Sequence, residues 1–124
     1  MAPPINQQWH SMSKGRFVIL KHDHPFLHWD LMLERDGTLA TWRLLHEPVL
    51  QTWLPAERLP DHRIAYLDYE GPVSGDRGVV SRVISGSYTC STGHGDVEEV
   101  SLLDNKFAHQ GRLRQQPDCA WWFE

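Results

Sequence analysis

The stretch from Phe26 to Leu45, FLHWDLMLERDGTLATWRLL, contains two strand-like runs on either side of the dipeptide Asp36-Gly37. Asp-Gly between two such runs is a strong short-range signal for a two-residue β-hairpin turn, because both central residues of that turn adopt positive φ. The sequence therefore predicts a hairpin with strands over residues 26–35 and 38–45.

The turn also predicts the register of the hairpin. If Arg35 pairs with Thr38, the residue numbers of every facing pair add up to 73. One face is then uniformly apolar, with the pairs Leu33/Ala40, Leu31/Trp42 and Trp29/Leu44. The other face carries the pairs Glu34/Leu39, Met32/Thr41, Asp30/Arg43 and His28/Leu45. Such a clean division between two faces supports this register, since a slip of one residue would exchange them.

The rest of the chain predicts more short strands and little helix. Residues 46–61 contain Pro48, Pro55 and Pro60 and are interpreted as irregular, and residues 71–78 as a loop. Further strands are predicted at 16–22, 62–69, 79–84, 86–91, 97–103, 106–114 and 119–124. This spacing favours an all-β fold, a small closed or partly open antiparallel β-barrel. We expect a loose N-terminal arm over residues 1–14 and a single domain over 15–124.

Composition narrows the function classes. The chain has 124 residues and a formal net charge of −4, so any contact with nucleic acid must use a local patch and not the whole surface. The start of the chain lacks the basic and apolar segments of a signal peptide. The longest apolar run, residues 17–20, is far short of the roughly 20 residues that span a bilayer. We expect a cytoplasmic protein with reduced thiols and no membrane contact.

A candidate metal site lies at the start of the hairpin. His28 and Asp30 are two residues apart on a strand, so they project from the same face. His22 ends the preceding strand and is close enough in sequence to join them. Two imidazoles and one carboxylate suit Mn²⁺, Fe²⁺ or Zn²⁺. His22 with His24 is an equally good pair of ligands, and a surface histidine pair beside a solvated aspartate is the alternative without a metal.

A second pair, His62 and Tyr66, is four residues apart and shares one face of a strand or of a helix. A histidine beside a phenol can position a phosphate or another oxyanion, and the histidine can act as general acid. The alternative is a half-buried histidine next to a core tyrosine.

The blocks FVILKH (17–22), LHWDLMLE (27–34) and DGTLATW (36–42) resemble the 3′-phosphoesterase domain of bacterial DNA ligase D. That family reads F-V-V-Q-K-H, L-H-Y-D-F-R-L-E and D-G-x-L-x-S-W. A second block, DHRIAYLDYEG (61–71), is similar to the family's D-H-P-L-D-Y-x-D-F-E-G. The resemblance is strong over about residues 16–90 and thinner beyond.

The resemblance implies a small β-barrel that trims DNA 3′ ends, removing a terminal ribonucleotide and then a 3′-phosphate, with Mn²⁺ as cofactor. His22, His28 and Asp30 would be the metal ligands, and Zn²⁺ is the other expected ion. His62 and Tyr66 would contact the scissile phosphate. The substrate would be a nucleic-acid 3′ end, and a DNA ligase or the end-joining machinery would be the partner.

Several positions depart from the family pattern. Met32 replaces an arginine that contacts phosphate, His46 replaces a lysine, and the loop 72–78 differs from P-E-G-x-Y-G-A-G. Loss of an arginine removes a charge-assisted, often bidentate contact. Arg43, predicted to lie across from Asp30, would supply the missing cation as a catalytic residue, and Arg77 is the other candidate.

Three functions are therefore compared. The first is a metal-dependent phosphoesterase acting on nucleic-acid 3′ ends. The second is a catalytically impaired relative that binds metal or phosphate ends without turnover. The third is an unrelated metal barrel of cupin type, which leaves the His62–Tyr66 block unexplained.

Overall fold

The computed structural model describes residues 14–90 and 97–124. Nine β-strands follow one another along the chain: β1 (Lys14–His22), β2 (His28–Arg35), β3 (Thr38–Leu44), β4 (Leu54–Arg63), β5 (Gly71–Pro72), β6 (Val79–Cys90), β7 (Val97–Leu103), β8 (Gln110–Arg114) and β9 (Ala120–Phe123). A single turn of 3₁₀ helix, Ile64–Leu67, is the helical element within these described residues. None of their helices is long and apolar enough to cross a membrane.

Eight of the strands close into an antiparallel barrel. Their order is β1-β2-β3-β4-β9-β8-β7-β6, and β6 pairs with β1 to complete the circle. The two-residue strand β5 adds to β6 outside this ring. The prediction of an all-β barrel is confirmed, and the barrel is closed.

The predicted hairpin register is confirmed for every described pair. β2 and β3 pair from Trp29 with Leu44 to Arg35 with Thr38, so all partner numbers add up to 73. Asp36 and Gly37 have φ values of 54° and 79°, the left-handed conformation that this turn requires at both central positions.

The sheet buries both of its faces around β1, β2 and β3. The barrel interior is filled from every strand of the ring, and its largest buried side chains include Phe17, Leu31, Tyr88, Trp121 and Phe123. A second apolar cluster lies on the outer face of the barrel and contains Val18, Leu20, Met32, Leu39, Leu67, Val73 and Val80. Burial of both faces explains why residues 17–20 form an unbroken apolar run.

The prediction for residues 46–69 is wrong in two places. Residues 54–63 form strand β4, although they contain Pro55 and Pro60, and residues 64–67 form the 3₁₀ helix. Pro55 is tolerated near the start of β4 because the pairing of β4 with β3 begins one residue later, at Ala56. Pro60 lies where the β3–β4 register shifts, at a bulge that also needs no paired N–H.

Other strand boundaries differ less. The strands predicted at 79–84 and 86–91 are one strand, β6, up to Cys90, and the next residue lies outside the described part. Lys14, which we assigned to the arm, is the first residue of β1, and residues 1–13 lie outside the described residues. Cys90 is buried and Cys119 is half-buried, and both are free thiols.

Candidate metal centre and phosphate groove

Strand register brings the candidate residues together on the outer face of the barrel. His22 pairs with His28 across β1 and β2, and Asp30 pairs with Leu20 on one side and Arg43 on the other. Since directly paired residues project from the same face of a sheet, these side chains form adjacent rows. The two histidines and Asp30 therefore converge because β1 and β2 are neighbours and antiparallel.

His22, His28 and Asp30 each offer one ligand atom, and these atoms all lie within 4.8 Å of one another. His28 Nε2 is 3.3 Å from Asp30 Oδ2, and His22 Nδ1 is 3.8 Å from the same oxygen. Ligand atoms that share one ion at bonds of about 2.0–2.2 Å lie at most about 4.4 Å apart. The cluster needs only a small contraction to hold a divalent ion.

Backbone carbonyls orient both imidazoles. His28 Nδ1 donates to the carbonyl oxygen of Phe26 at 2.8 Å, and His22 Nε2 donates to the carbonyl of Arg77 at 2.8 Å. Each bond places the proton on the nitrogen that faces away from Asp30, so the lone pair of the other nitrogen points into the cluster. Metal-bound histidines in proteins use this arrangement, in which the second ring nitrogen donates to an outer acceptor.

Two buried atoms of the cluster have no hydrogen-bond partner, His28 Nε2 and Asp30 Oδ1. His28 and Asp30 are only 1% and 4% exposed, and an unsatisfied buried polar atom is costly. Burial lowers the pKa of His28, but the negative charge of nearby Asp30 and the hydrogen bond to the Phe26 carbonyl outweigh burial and raise it. An ion bound at these atoms would satisfy them, and a set of two nitrogens and one oxygen suits Mn²⁺ or Zn²⁺.

The segment 71–80 holds the carbonyl of Arg77 in place. Gly78 has a φ of 79°, and a Cβ at this position would overlap Asp23 Oδ1 and come within 2.7 Å of His24 Cβ. Asp23 in turn accepts a hydrogen bond from the backbone N–H of Val79 at 2.8 Å. The two loops therefore pack closely because residue 78 has no side chain, and this packing delivers the Arg77 carbonyl to His22.

A groove of about 610 Å³ runs from the His22–His28–Asp30 cluster across the outer face. Its lining includes His22 and Asp30 at the cluster, Met32 on the floor, and His62 and Tyr66. The rings of His62 and Tyr66 lie 6.0 Å apart edge to face. His62 belongs to β4 and Tyr66 to the 3₁₀ helix, so neither of the two settings that we considered, one strand or one helix, is correct for the pair.

His62 is positioned by its pairing with β3 and by a hydrogen bond within its own strand. It pairs with Leu39 of β3, on the side of the bulge where the register has shifted, and Leu39 belongs to the outer apolar cluster. Its Nδ1 donates to the carbonyl of Pro60 at 3.0 Å, which leaves Nε2 for other contacts. His24, the alternative ligand, lines the groove but lies outside the three-residue cluster.

Arg43 and Arg77 also line the groove. Arg43 lies across from Asp30 as the register predicted, with Nη1 3.5 Å from Glu57 Oε1 on β4 and its guanidinium 5.4 Å from the centre of the Phe26 ring. Arg77 donates from Nε to the carbonyl of Ser74 at 2.7 Å. The acid that pairs with Arg43 is therefore Glu57, and not Asp30 or Glu34 within the hairpin.

Sequence reasoning missed the groups that orient the ligands. The acceptors for His22 and His28 are main-chain oxygens of Arg77 and Phe26, which any residue type could supply. Asp23 and Gly78 carry the packing that delivers one of them. A glycine at the end of a loop, such as Gly78, is only a weak indication that two chain segments approach closely. It does not indicate which segment lies opposite.

The chain is a small closed β-barrel with two histidines and one carboxylate gathered on its outer face, at one end of a groove that also contains a histidine–tyrosine pair. The family model described as the DNA Ligase D 3′-phosphoesterase domain matches residues 20–116. The chain belongs to this family.

Three curated relatives carry the name multifunctional non-homologous end joining protein LigD. The Mycobacterium bovis protein is 32% identical over 102 residues, which cover 78% of this chain and 13% of the relative. The Mycolicibacterium smegmatis protein is 40% identical over 82 residues, 61% of this chain and 11% of the relative. The Pseudomonas aeruginosa protein is 38% identical over 60 residues, 47% and 7%. The chain thus matches only a small part of each relative.

Proposed function

We propose that the protein is a divalent-metal-dependent phosphoesterase that acts on the 3′ ends of DNA or RNA in DNA end repair. The observation that carries this proposal is the orientation of His22 and His28, whose lone pairs converge beside Asp30 because each ring is anchored on a carbonyl. The same groove contains His62 and Tyr66, the residues that the family resemblance links to the scissile phosphate.

In this proposal His22, His28 and Asp30 hold the ion, with Mn²⁺ favoured and Zn²⁺ as the other expected ion. The ion would supply Lewis-acid polarisation of a phosphoryl oxygen. A water oxygen would bond to phosphorus as the bond from phosphorus to the leaving oxygen breaks, and the attacking water would release its proton to solvent. His62, in its imidazolium form with Nδ1–H on the Pro60 carbonyl, would give its Nε2 proton to that leaving oxygen. The phenol of Tyr66 hydrogen-bonds to a phosphate oxygen and helps to hold the group in place.

Arg43 is proposed as a catalytic cation of the same groove. Its guanidinium is close to the cluster, and its Nε is buried without a hydrogen-bond partner. The contact with Glu57 at 3.5 Å is long for an ion pair and leaves donors available.

The decisive assay uses an oligonucleotide with a 3′-phosphate and its counterpart with a single 3′-ribonucleotide. With Mn²⁺ the parent protein should release phosphate or the nucleoside, and Asp30→Ala should reduce the rate to background. His62→Ala should also reduce turnover but leave Mn²⁺ binding intact. A parent protein that binds Mn²⁺ and hydrolyses neither substrate would overturn the proposal of catalysis.

One observation favours the second candidate, binding without turnover. Met32, 1% exposed, lies on the groove floor between the metal cluster and His62, where the family has an arginine. A thioether supplies no charge to a phosphate. If the parent protein binds 3′-phosphorylated ends with Mn²⁺ but does not hydrolyse them, this candidate replaces the first.

The relatives' names also motivate a proposal about partners. They are end-joining proteins, and this chain matches a small fraction of each. We propose that the chain works with a DNA ligase or other end-joining components. A ligation assay with purified ligase, on DNA bearing blocked 3′ ends and with or without the protein, tests this. Joining that does not depend on the protein would contradict the proposal.

A further inference from the structure

We propose that Arg63 is a second phosphate-binding cation of this groove, in addition to Arg43, and compensates for the arginine that Met32 has replaced. The proposal rests on the proposed function, since it concerns the same groove. Arg63 contacts the terminal phosphate from the side of His62 and Tyr66, and thereby gives the protein its preference for phosphorylated 3′ ends.

Three arginines line the groove, Arg43, Arg63 and Arg77, and they differ in how far they are already engaged. Arg43 lies 3.5 Å from the Glu57 carboxylate. Arg77 is tied to its own loop, with donors on the carbonyl and on the hydroxyl of Ser74 at 2.7 and 3.2 Å. Arg43 therefore keeps some of its donors and Arg77 keeps fewer, but each guanidinium already has a partner on the protein.

Arg63 differs because its side chain makes no ion pair, hydrogen bond or ring contact with any of the residues described, 14–90 and 97–124. The nearest acid in sequence, Asp61, is engaged elsewhere: it accepts from Arg58 at 3.0 Å and from Thr38 at 3.0 Å. Burial raises the pKa of Asp61, but these two hydrogen bonds outweigh burial and lower it, so Asp61 stays ionised and paired with Arg58. Within the described part of the chain, no donor of the Arg63 guanidinium is therefore engaged.

Arg63 lies next to the residues proposed to contact the phosphate. It follows His62 directly and precedes the 3₁₀ helix that carries Tyr66, in extended conformation with φ −71° and ψ 141°. The similar family motif has proline at this position, in D-H-P, and arginine at the position of Met32. This chain has therefore lost one cation from the groove floor and gained one on the wall beside it. A guanidinium on that wall can bind a phosphate through two parallel N–H donors.

The test compares two fluorescent single-stranded oligonucleotides, one with a 3′-phosphate and one with a 3′-hydroxyl, bound by the full chain with Mn²⁺. Arg63→Gln should reduce the preference for the 3′-phosphate by at least about tenfold, because it removes a charge-assisted contact. Arg63→Lys should restore part of it. Lys106→Gln, which removes the same charge outside the groove, is the matched control and should leave the preference unchanged.

Melting temperature and Mn²⁺ affinity should be the same for all variants, since Arg63 has no described side-chain partner to lose. An Arg63→Gln variant that keeps the parent's preference would overturn the proposal, as would an equal loss in Lys106→Gln. A parent that binds the phosphorylated end through Arg63 but does not hydrolyse it would contradict the phosphoesterase and support this assignment. If Arg63→Gln hydrolyses the end as fast as the parent and keeps its preference, the phosphoesterase stands and this assignment fails. A parent that does not prefer the 3′-phosphate would overturn the assignment of Arg63.

Discussion

Asp30 and Leu31 are neighbours on the same strand and are almost equally buried, at 4% and 1% exposure, yet they lie on opposite faces of the sheet. Leu31 packs in the barrel interior among apolar side chains. Asp30 lies on the outer face with one carboxylate oxygen unpartnered, beside a histidine with an unpartnered nitrogen. The inner face contributes to stability through packing, whereas the outer face buries polar groups that the described residues do not fully satisfy.

The two faces differ in how burial affects the free energy of folding. Burying apolar surface stabilises the fold by about 25 cal/mol per Å², and the inner face follows that rule around the whole ring. Burying an unpaired polar atom costs free energy, so the outer cluster lowers the stability of the fold when no ion is bound. Substitutions on the inner face should therefore affect stability, and substitutions on the outer face should affect metal and phosphate binding.

The largest expected effect on stability comes from the inner face. Leu31→Ala should lower the free energy of unfolding by about 2–5 kcal/mol, because it removes buried methyl groups and leaves a cavity. Urea unfolding followed by tryptophan fluorescence measures this change. A loss below about 1 kcal/mol would mean that the interior repacks freely and that the contrast between the faces is weaker than we describe.

On the outer face the same experiment should give a different result. Mn²⁺ at one hundred times its dissociation constant should stabilise the parent protein by about 2.7 kcal/mol, and Asp30→Asn should abolish this gain. Without metal, Asp30→Asn should lie within about 1 kcal/mol of the parent, since it removes a buried charge at constant volume. Thermal unfolding with and without Mn²⁺ measures both. A metal-free loss as large as that of Leu31→Ala would assign Asp30 to the structural core.

A third prediction concerns the loop that holds His22. Gly78→Ala should weaken Mn²⁺ binding by about 10–100-fold, because the new Cβ pushes the Arg77 carbonyl away from His22. Gly75→Ala is the matched control: φ is also positive there, 74°, but the added Cβ meets only Arg77 Nε at 3.6 Å. Calorimetric titration with Mn²⁺ compares them. Equal losses in both variants would show that loop strain and not the carbonyl is responsible.

The smallest expected effect is that of Arg43. Arg43→Gln should lower turnover, or binding of phosphorylated ends, by about tenfold with Mn²⁺ affinity unchanged. Glu57→Gln removes the ion pair but keeps the guanidinium, so it serves as the control and should have little effect. An exposed pair of this kind contributes only about 0–1 kcal/mol to stability. A change in melting temperature alone would assign Arg43 to structure.

The hairpin shows how much of this molecule local sequence predicts. Asp36-Gly37 determines a turn of two residues, the turn determines the register, and the register places His28, Asp30 and Arg43 on one face. The joining of His22 to this face was also predictable, because five residues separate it from His28 and a short link favours neighbouring strands. These inferences need only the two-residue period of a strand and the geometry of one turn.

The β4 region shows where prediction from sequence ends. Its prolines argue against a strand. They are tolerated because the pairing with β3 begins after Pro55 and shifts register at the Pro60 bulge, and both conditions exist only once β3 and β4 have paired. The same bulge sets the row in which His62 lies. Glu57 meets Arg43 through that long-range pairing, and no pattern within the hairpin contains it.

Local sequence was sufficient to predict the barrel class, the hairpin register and the common face of His28 and Asp30, because strand periodicity and turn chemistry act over a few neighbouring residues. Long-range packing sets how the His22–His28–Asp30 cluster is oriented and which residues share its groove. The carbonyls of Phe26 and Arg77 fix the imidazoles, and the register shift before His62 brings it to the groove with Tyr66. Main-chain oxygens and long-range pairings carry no side-chain signature, and they exist only after the barrel has closed.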